Sequence, residues 1–357
     1  MAESPLSISN LLEPTSIKVE LALLPLDKTE NRMSSTIEQS TNNARHNIIV
    51  GCGALGLGLY GLFNLDSEQT TSGPRLSNTK LLKFENKIYP DKLKISGSYE
   101  LSLNELLYAT IEDLSCNDSA RNFWLCIPAY AVREVMETLA PYFTNEDVII
   151  LCSNGLGVYV DAASIIGRKV KLLRGLVEFG LRRNSIENVF ISGKAKAHFS
   201  FPIEYAEYGT ALCTSLIDKG WQVSTSNNVA QAEWEKVLYN IFINPLCALA
   251  QVKNKEAGGS LKTLALQLVL EARLVAKAEG FNLDFLTDDI LINKIQFSAE
   301  NICSTLAQLR NKKRTEIDFI LGRVIKLGIF YKIKTPLLDI VYALLQIREK
   351  QTVSDGI

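Results

Sequence analysis

A glycine-rich turn directly after a short apolar run constrains the fold of this chain more than any other feature. Residues 46–50 read HNIIV, and Gly51, Gly53 and Gly56 follow in the pattern G-x-G-x-x-G. The apolar run predicts a buried strand, and the residues after the turn predict a helix. In such a unit the three glycines allow a tight turn, close approach of a pyrophosphate, and close helix–strand packing. The spacing therefore predicts a dinucleotide-binding loop.

Strand and helix patterns alternate after this turn. Residues 80–84 are a candidate second strand, and residues 91–103 are a candidate hairpin. Two apolar runs, at 122–128 and 147–155, predict further buried strands, and an amphipathic helix pattern lies between them. Strands that alternate with helices favour a parallel, doubly wound sheet.

Beyond about residue 228 the strand patterns stop, and helical periodicity alone continues. We therefore predict an α/β protein, with a Rossmann-like N-terminal dinucleotide-binding domain over residues 45–226 and an all-α C-terminal domain over residues 227–352. Residues 1–44 are rich in Ser, Thr, Asn and Glu and are expected to form a flexible N-terminal extension. The predicted helices cover 229–251, 258–280, 295–312, 314–328 and 335–349.

Composition argues against several classes of function. The 357 residues include 38 basic and 39 acidic side chains, and a net charge of −1 does not favour nucleic-acid or membrane binding. No apolar run reaches the roughly 18 residues of a membrane span, and the N-terminus does not resemble a secretory signal. The seven scattered cysteines form no C-x-x-C pair, and there are only two histidines. We expect a cytoplasmic protein with reduced thiols and no metal.

One predicted helix carries a polar stripe opposite an apolar one. Lys236, Asn240 and Asn244 are four residues apart, so they share one helix face. By periodicity alone, such a stripe is typical of a solvated face. The residue types also suit ketone reduction, because an ammonium can protonate the developing oxyanion and amides can hold carboxylate and hydroxyl groups. Downstream, Asn301 and Ser304 share a helix face.

Four stretches in this order resemble the 2-dehydropantoate 2-reductase (ketopantoate reductase) family. They are GCGALG at 51–56, SNGLG at 153–157, EKVLYNIFINPLCAL at 235–249 and NICSTLAQLRNKKRTEIDFILG at 301–322. With the pattern between them, the resemblance extends from residue 46 to about residue 350. It implies NADPH-dependent reduction of 2-dehydropantoate to pantoate, for pantothenate and coenzyme A biosynthesis, in a cleft between two domains.

The resemblance also implies roles for individual residues. Lys236 matches the proton donor to the keto oxygen, and Glu316 matches the active-site glutamate. Asn154 matches an asparagine between the nicotinamide and the substrate. The positions that match the pyrophosphate loop are Gly51, Cys52, Gly53, Ala54, Leu55 and Gly56. The positions that match the pantoate pocket are Asn240, Asn244, Asn254 and Ser304, and Asn301 helps to shape this pocket.

The chain departs from the family pattern near the cofactor. Pro128 stands where the family often has a lysine after a strand. If residues 80–84 are the second strand, Glu85 and Lys87 follow it, whereas Arg75 lies at a more usual distance from the glycine turn. An acidic residue there would favour NADH and a basic one NADPH, so the preference stays open.

Three further alternatives stay open at this level. The chain could reduce another 2-keto acid, or it could be a dinucleotide-binding homologue without catalysis. It could also act either as a monomer or as a homodimer. Under each enzymatic alternative the expected partner is a small 2-keto acid.

Overall fold

The computed structural model describes residues 45–65, 78–85, 87–116, 120–167 and 170–354. The predictions made above for residues 1–44 and for Arg75 lie outside these ranges. Among the described residues, no helix has the length and apolar character that crossing a membrane requires. The same residues contain no cluster of potential metal ligands.

Eight strands form one large sheet in the order β12-β11-β8-β7-β6-β1-β2-β5. Neighbouring strands in this sheet are parallel, except that β8 and β11 are antiparallel to each other. The chain runs from β1 to β2 on one side and later to β6 on the other, which is the doubly wound arrangement predicted from the sequence. The strands of this sheet are β1 (His46–Val50), β2 (Thr79–Leu82), β5 (Tyr108–Ala109), β6 (Arg121–Leu125), β7 (Val148–Leu151), β8 (Lys171–Val177), β11 (Lys196–Ser200) and β12 (Gln222–Ser226).

The central strands are apolar on both faces because the sheet is covered on both sides. Ile49, Trp124 and Ile150 point to one face and pack in one cluster of buried side chains. Their neighbours Val50 and Phe123 pack in a second cluster on the other face. Because both faces of these strands are buried, their sequences are unbroken apolar runs and do not alternate between apolar and polar residues.

Four more strands form a second sheet in the order β4-β3-β10-β9. The hairpin predicted at 91–103 is confirmed as the antiparallel pair β3–β4. A later segment then adds β10 parallel to β3, with β9 antiparallel to β10. This sheet packs on the helix that follows the glycine turn. Its strands are β3 (Leu93–Gly97), β4 (Leu101–Leu103), β9 (Gly180–Arg183) and β10 (Asn188–Ser192).

Helices alone make up the described chain after β12. The 22-residue helix α5 is central to this part and packs against α7, α9 and α11. The helices in chain order are α1 (Ala54–Phe63), α2 (Val132–Leu139), α3 (Val158–Ile166), α4 (Ala206–Asp218), α5 (Val229–Ala250), α6 (Lys255–Gly258), α7 (Lys262–Glu279), α8 (Asp288–Ile295), α9 (Ser304–Arg310), α10 (Arg323–Tyr331) and α11 (Pro336–Ser354).

Two of the predicted helices are shorter than the periodicity indicated. The segment 295–312 was predicted as one helix, but α8 ends at its first residue and α9 begins only at Ser304. Cys303 starts α9, because its Sγ accepts the backbone N–H of Leu306. In the segment 314–328, a π-helical turn over Asp318–Gly322 precedes α10. Helix α4 was missed altogether, since short strand patterns surround it.

Candidate active site

The glycine turn lies at the carboxyl end of β1, beside the N-terminus of α1. Gly51 has a φ of +110°, and a Cβ there would lie 2.5 Å from the carbonyl oxygen of Cys126. A Cβ on Gly56 would lie 1.8 Å from the carbonyl oxygen of Gly51, so both glycines are required by packing. A Cβ on Gly53 would meet no atom of the described residues within 4 Å. The open space at this uncapped helix N-terminus fits the pyrophosphate of a dinucleotide.

An arginine from the second sheet holds this turn in place. The Nη1 of Arg183, on β9, donates to the carbonyl oxygen of Cys52 at 2.8 Å. Its other nitrogens donate to the carbonyls of Ser185 and Ile186. The sequence analysis missed this contact, because nothing in the residues around Arg183 points to a partner 131 positions earlier.

The second strand ends two residues earlier than the candidate strand 80–84 predicted from the sequence. Leu82 is the last residue of β2, so Lys83 is the first basic residue beyond it. The ammonium of Lys83 lies 4.0 Å from the ring centroid of Tyr108. Glu85 and Lys87, the residues considered from the sequence, follow and are both exposed. The sequence analysis overlooked Lys83 because it placed that residue inside the strand.

Glu316 joins the helical part of the chain to the loops after β6 and β7. Its buried carboxylate accepts the backbone N–H of Ala129 at 3.0 Å and Nδ2 of Asn154 at 3.2 Å. Nε2 of Gln308 donates to it at 3.3 Å. Burial raises the pKa of Glu316, and these donated hydrogen bonds act in the opposite direction. Ala129 follows Pro128, so the proline lies next to this contact.

The SNGLG segment is shaped by the π-helical turn opposite it. Gly155 has a φ of +114°, and a Cβ there would lie 2.6 Å from the Cβ of Phe319. The N–H of Leu156 donates to the carbonyl of Phe319 at 2.8 Å. Only glycine fits this close approach with a positive φ, which explains why Gly155 follows Asn154.

Lys236 lies on α5 and faces the end of β8. Its Nζ donates to the carbonyl oxygen of Val177 at 3.1 Å. Burial lowers the pKa of Lys236 to about 8, while the carboxylate of Glu178 acts in the opposite direction. The ammonium is therefore largely protonated at neutral pH, and it can lose its proton at little cost.

The asparagine stripe on α5 is buried, and the solvated-face interpretation that periodicity favours is wrong. Asn240 is 8% exposed and Asn244 is 6% exposed. Nδ2 of Asn244 donates to Oγ of Ser304 at 3.2 Å, whereas Nδ2 of Asn240 has no partner among the described residues. A buried amide without a partner costs free energy, so this donor fits a ligand oxygen.

Asn254, on the turn after α5, is hydrogen-bonded to Asn301, in the segment between α8 and α9. The N–H of Asn254 donates to the carbonyl of Asn301 at 2.9 Å, and its Nδ2 donates to Oγ of Ser298 at 3.3 Å. Oδ1 of Asn254 is buried without a partner among the described residues. Nδ2 of Asn301 reaches Oγ of Ser192, on β10, at 3.4 Å.

The structure thus brings some predicted site residues into direct contact and not others. Hydrogen bonds join Asn154 to Glu316 and Asn244 to Ser304. Within the described ranges, no hydrogen bond joins Lys236 to any of these residues. The two predicted catalytic side chains, Lys236 and Glu316, therefore have different hydrogen-bond partners.

A buried ion pair that the sequence analysis missed lies one turn before Lys236 on α5. Oε1 of Glu233 accepts from Nε of Arg174 at 2.8 Å, and Oε2 accepts the N–H of Gly157 at 2.7 Å. Nη1 of Arg174 donates to the carbonyl of Leu151 at 2.7 Å, and Nη2 donates to the carbonyl of Ser153. The pair fixes both ends of the segment that carries Asn154.

Comparison with known protein families gives matches over both parts of the chain. Residues 48–202 match the family described as ketopantoate reductase PanE/ApbA, and residues 228–349 match the C-terminal domain of the same family. A 2-dehydropantoate 2-reductase of Archaeoglobus fulgidus is 26% identical over 287 residues, which are 78% of this chain and 90% of that protein. The enzyme of the same name from Pyrococcus horikoshii is 30% identical over 132 residues, which are 36% of this chain and only 44% of that protein.

Solved structures share the fold. D-mandelate dehydrogenase, in a ternary structure with NADH and anilino(oxo)acetate, has a TM-score of 0.71 and 18% identity, and the match covers 86% of this chain and 99% of that one. A dimeric ketopantoate reductase from Staphylococcus aureus has a TM-score of 0.67 and 19% identity, with the same coverage.

Proposed function

Because the chain belongs to the ketopantoate reductase PanE/ApbA family, we propose that it is an NADPH-dependent 2-dehydropantoate 2-reductase. Its product would be pantoate, for pantothenate and coenzyme A biosynthesis. The curated relative from Archaeoglobus fulgidus that carries this name matches over most of both chains and supports the assignment.

One observation in the structure carries the proposal. A single helix presents the ammonium of Lys236 and, one turn later, a buried amide donor of Asn240 that has no partner among the described residues. Leaving such a donor unpaired costs about 1–3 kcal/mol, and a hydroxyl or carboxylate oxygen of a substrate would remove that cost. A proton donor beside amide donors suits a 2-keto acid better than an apolar ketone.

The glycine turn would hold the pyrophosphate, and the reduced nicotinamide would supply the hydride. The N-terminus of α1 has no side-chain cap, so its first backbone N–H groups would be available to the pyrophosphate beside Gly53. Lys83 and Lys87 follow β2, where a cation would accept the 2′-phosphate of NADPH. Glu85 lies between them and would be the ribose contact if NADH were preferred.

Lys236 would act as the general acid. Hydride addition to the keto carbon leaves negative charge on the keto oxygen, and the ammonium of Lys236 donates a proton to it and becomes a neutral amine. A pKa of about 8 makes this transfer easier than it would be from an exposed lysine. The amine then takes a proton from solvent, which restores the acid.

The other residues would bind and orient the substrate. Asn240 and Asn244 offer amide groups to the substrate carboxylate and hydroxyl from the face of α5 that carries Lys236. Glu316 would orient Asn154 through the bond between them, so that the amide faces both the cofactor and the substrate. Ser304 and Asn254 would complete the pocket.

The direct test is a steady-state assay with 2-dehydropantoate, run in parallel with NADPH and with NADH. Oxidation with NADPH preferred supports both the reaction and the role of Lys83 or Lys87. Oxidation with NADH preferred keeps the reaction and makes Glu85 the ribose contact. If neither cofactor is oxidised, the proposed substrate is wrong.

A second candidate is the reduction of a different 2-keto acid. The fold shared with D-mandelate dehydrogenase favours it, because that protein was solved with NADH and an oxoacetate compound. A panel of 2-keto acids with aliphatic and aromatic side chains would distinguish the two. Binding of NADPH, seen as a fluorescence change, without turnover of any member would instead indicate a homologue that does not catalyse.

For the assembly, we propose a homodimer in preference to a monomer. The support is the ketopantoate reductase from Staphylococcus aureus, which is described as dimeric and shares this fold. Light scattering coupled to size-exclusion chromatography gives the mass directly, and a value near 39.6 kDa would refute the homodimer.

A further inference from the structure

Glu178 occupies a position between two lysines from different parts of the chain. Its side chain is 15% exposed, and its Oε2 lies 3.1 Å from Nζ of Lys196, on β11. Its Oε1 lies 3.2 Å from Nζ of Lys294, on α8. The residue before it is Val177, whose carbonyl accepts the hydrogen bond from Lys236. The carboxylate therefore lies where three ammonium groups converge.

The charged side chains that act on the carboxylate of Glu178 are all positive. Burial alone would raise the pKa of Glu178, but Lys294, Lys236 and Lys196 together lower it to about 2. Arg174 also acts on Lys236 from β8. Three ammonium groups thus face this carboxylate, which is ionised at every pH at which the protein would work.

Two further titratable side chains near the cluster, Tyr239 and His198, do not change this balance, since burial raises the pKa of Tyr239 and keeps its phenol neutral. His198, on β11, faces Glu178 and Lys294, and its ring nitrogens lie within hydrogen-bond distance of the hydroxyls of Ser224 and Ser226. Burial lowers the pKa of His198, so its imidazole is neutral at physiological pH. Glu235 acts on His198 from α5 and is not among the groups that act on Lys236.

We propose that Glu178 is a positioning residue for Lys236. The carboxylate of Glu178 keeps Lys236 protonated and holds Lys196 and Lys294 around itself. The proposal rests on the role of Lys236 as proton donor in the proposed function. Without the carboxylate, the charged side chains of the described residues that act on Lys236 would be Lys294, Arg174 and Lys196, and their repulsion would favour its neutral form. A neutral amine cannot donate the proton that the reduction requires.

Two substitutions separate this electrostatic role from a merely structural one. Glu178→Gln removes the negative charge, and Lys196→Met removes one positive charge. Both break the same ion pair between Glu178 and Lys196. A structural role predicts that the two variants change in the same direction. The electrostatic role predicts opposite shifts in the pKa of Lys236, downwards for Glu178→Gln and upwards for Lys196→Met.

The primary measurement is the reactivity of Lys236 itself. The full-length protein is labelled with acetic anhydride from about pH 6 to about pH 10, and the acetylated Lys236 peptide is quantified by mass spectrometry. We expect the labelling midpoint of Glu178→Gln to fall by about one pH unit and that of Lys196→Met to rise. Glu178→Asp keeps the charge, so its midpoint should stay near that of the wild type.

The second measurement is the pH profile of kcat/KM. Loss of one pH unit from the pKa of Lys236 lowers kcat/KM about fivefold at pH 8, because a smaller fraction of the lysine is protonated. Unchanged midpoints in Glu178→Gln, or shifts of the same sign in both variants, would overturn the inference. Absence of 2-keto acid reduction in the wild type would refute the proposed function alone, because the labelling needs no turnover.

Discussion

The carboxylate of Glu233 and the guanidinium of Arg174 form an ion pair at 2.8 Å, with both side chains almost completely buried. Arg174 belongs to the sheet and Glu233 to the central helix α5. Each also binds the backbone of the segment between Leu151 and Gly157. The pair therefore fixes the loop that carries Asn154 to the helix that carries Lys236.

Removing one member of this pair should destabilise the protein strongly. Glu233→Ala leaves the guanidinium of Arg174 buried without its counter-ion, which costs about 3–5 kcal/mol. Denaturant unfolding measures the loss. The matched control is Glu137→Ala, which breaks an exposed pair with Arg133 and should change stability by less than about 1 kcal/mol. Equal losses in the two variants would refute the role given to the buried pair.

Substitutions at two glycines of the turn should separate an effect on packing from an effect on ligand binding. Gly56→Ala places a Cβ against the backbone of Gly51 and should prevent the turn from forming. Gly53→Ala meets no protein atom, so the variant should fold normally. Its new methyl group should nevertheless raise the Kd for NADPH at least about tenfold by occupying the space where the backbone approaches the pyrophosphate. Wild-type NADPH affinity in Gly53→Ala, measured by fluorescence titration, would contradict the proposed binding position.

Lys236 should determine both kcat and the pH above which kcat/KM falls. Lys236→Ala should lower kcat by about 10²–10⁴ through loss of the general acid. In the wild type, kcat/KM should be constant at lower pH and fall as the pH rises through about 8, because the protonated lysine is the active form. The exposed Lys277 provides the control, since Lys277→Ala should leave the profile unchanged. Near-normal kcat in Lys236→Ala would remove the residue from its assigned role.

Glu316 should affect use of the substrate more than binding of the cofactor. Its carboxylate accepts three donors, and the amide of Glu316→Gln must turn its own N–H groups towards at least one of them. We expect kcat/KM for the keto acid to fall about 10–100-fold, through misplacement of Asn154. The Kd for NADPH, measured by calorimetry, should change less than about threefold, and a larger change in that constant than in kcat/KM would argue for a cofactor role.

Asn240 should contribute more to the affinity for the substrate than to the stability of the fold. Because its Nδ2 has no partner among the described residues, Asn240→Ala breaks no hydrogen bond of this amide nitrogen there. The KM for the keto acid should rise about tenfold, which corresponds to one lost hydrogen bond of about 1.4 kcal/mol. Asn293→Ala, at an exposed position on α8, is the control. An unchanged KM in Asn240→Ala would place the substrate elsewhere.

Much of the fold could be predicted because its signals are local. The strand–turn–helix unit at Gly51, the hairpin at 91–103 and the succession of helices after residue 228 each follow from short-range patterns. The polar stripe on α5 was recognised, but periodicity cannot distinguish a face exposed to water from one that lines a cleft. Burial of Asn240 and Asn244 depends on elements far away in the chain, and the family resemblance pointed to it where periodicity did not.

The missed features share a physical cause. Arg174 and Glu233 are 59 residues apart, and Arg183 lies 131 residues after Cys52, so no local pattern links either pair. Single charged residues in apolar or mixed segments give no sign of which partner they will meet. Lys83 escaped notice for a different reason, since the end of a strand is set by pairing with its neighbour and not by its own residues.

The contact between Arg183 and Cys52 also has a consequence for the protein during its synthesis. The nucleotide motif leaves the ribosome early, but the arginine that holds it follows 131 residues later. At about 5–20 residues per second, this delay is roughly 7–26 s. A nascent chain that ends before β9 contains the complete motif without its support. A dinucleotide that binds the turn would therefore stabilise the finished domain more than the unsupported first half of the chain.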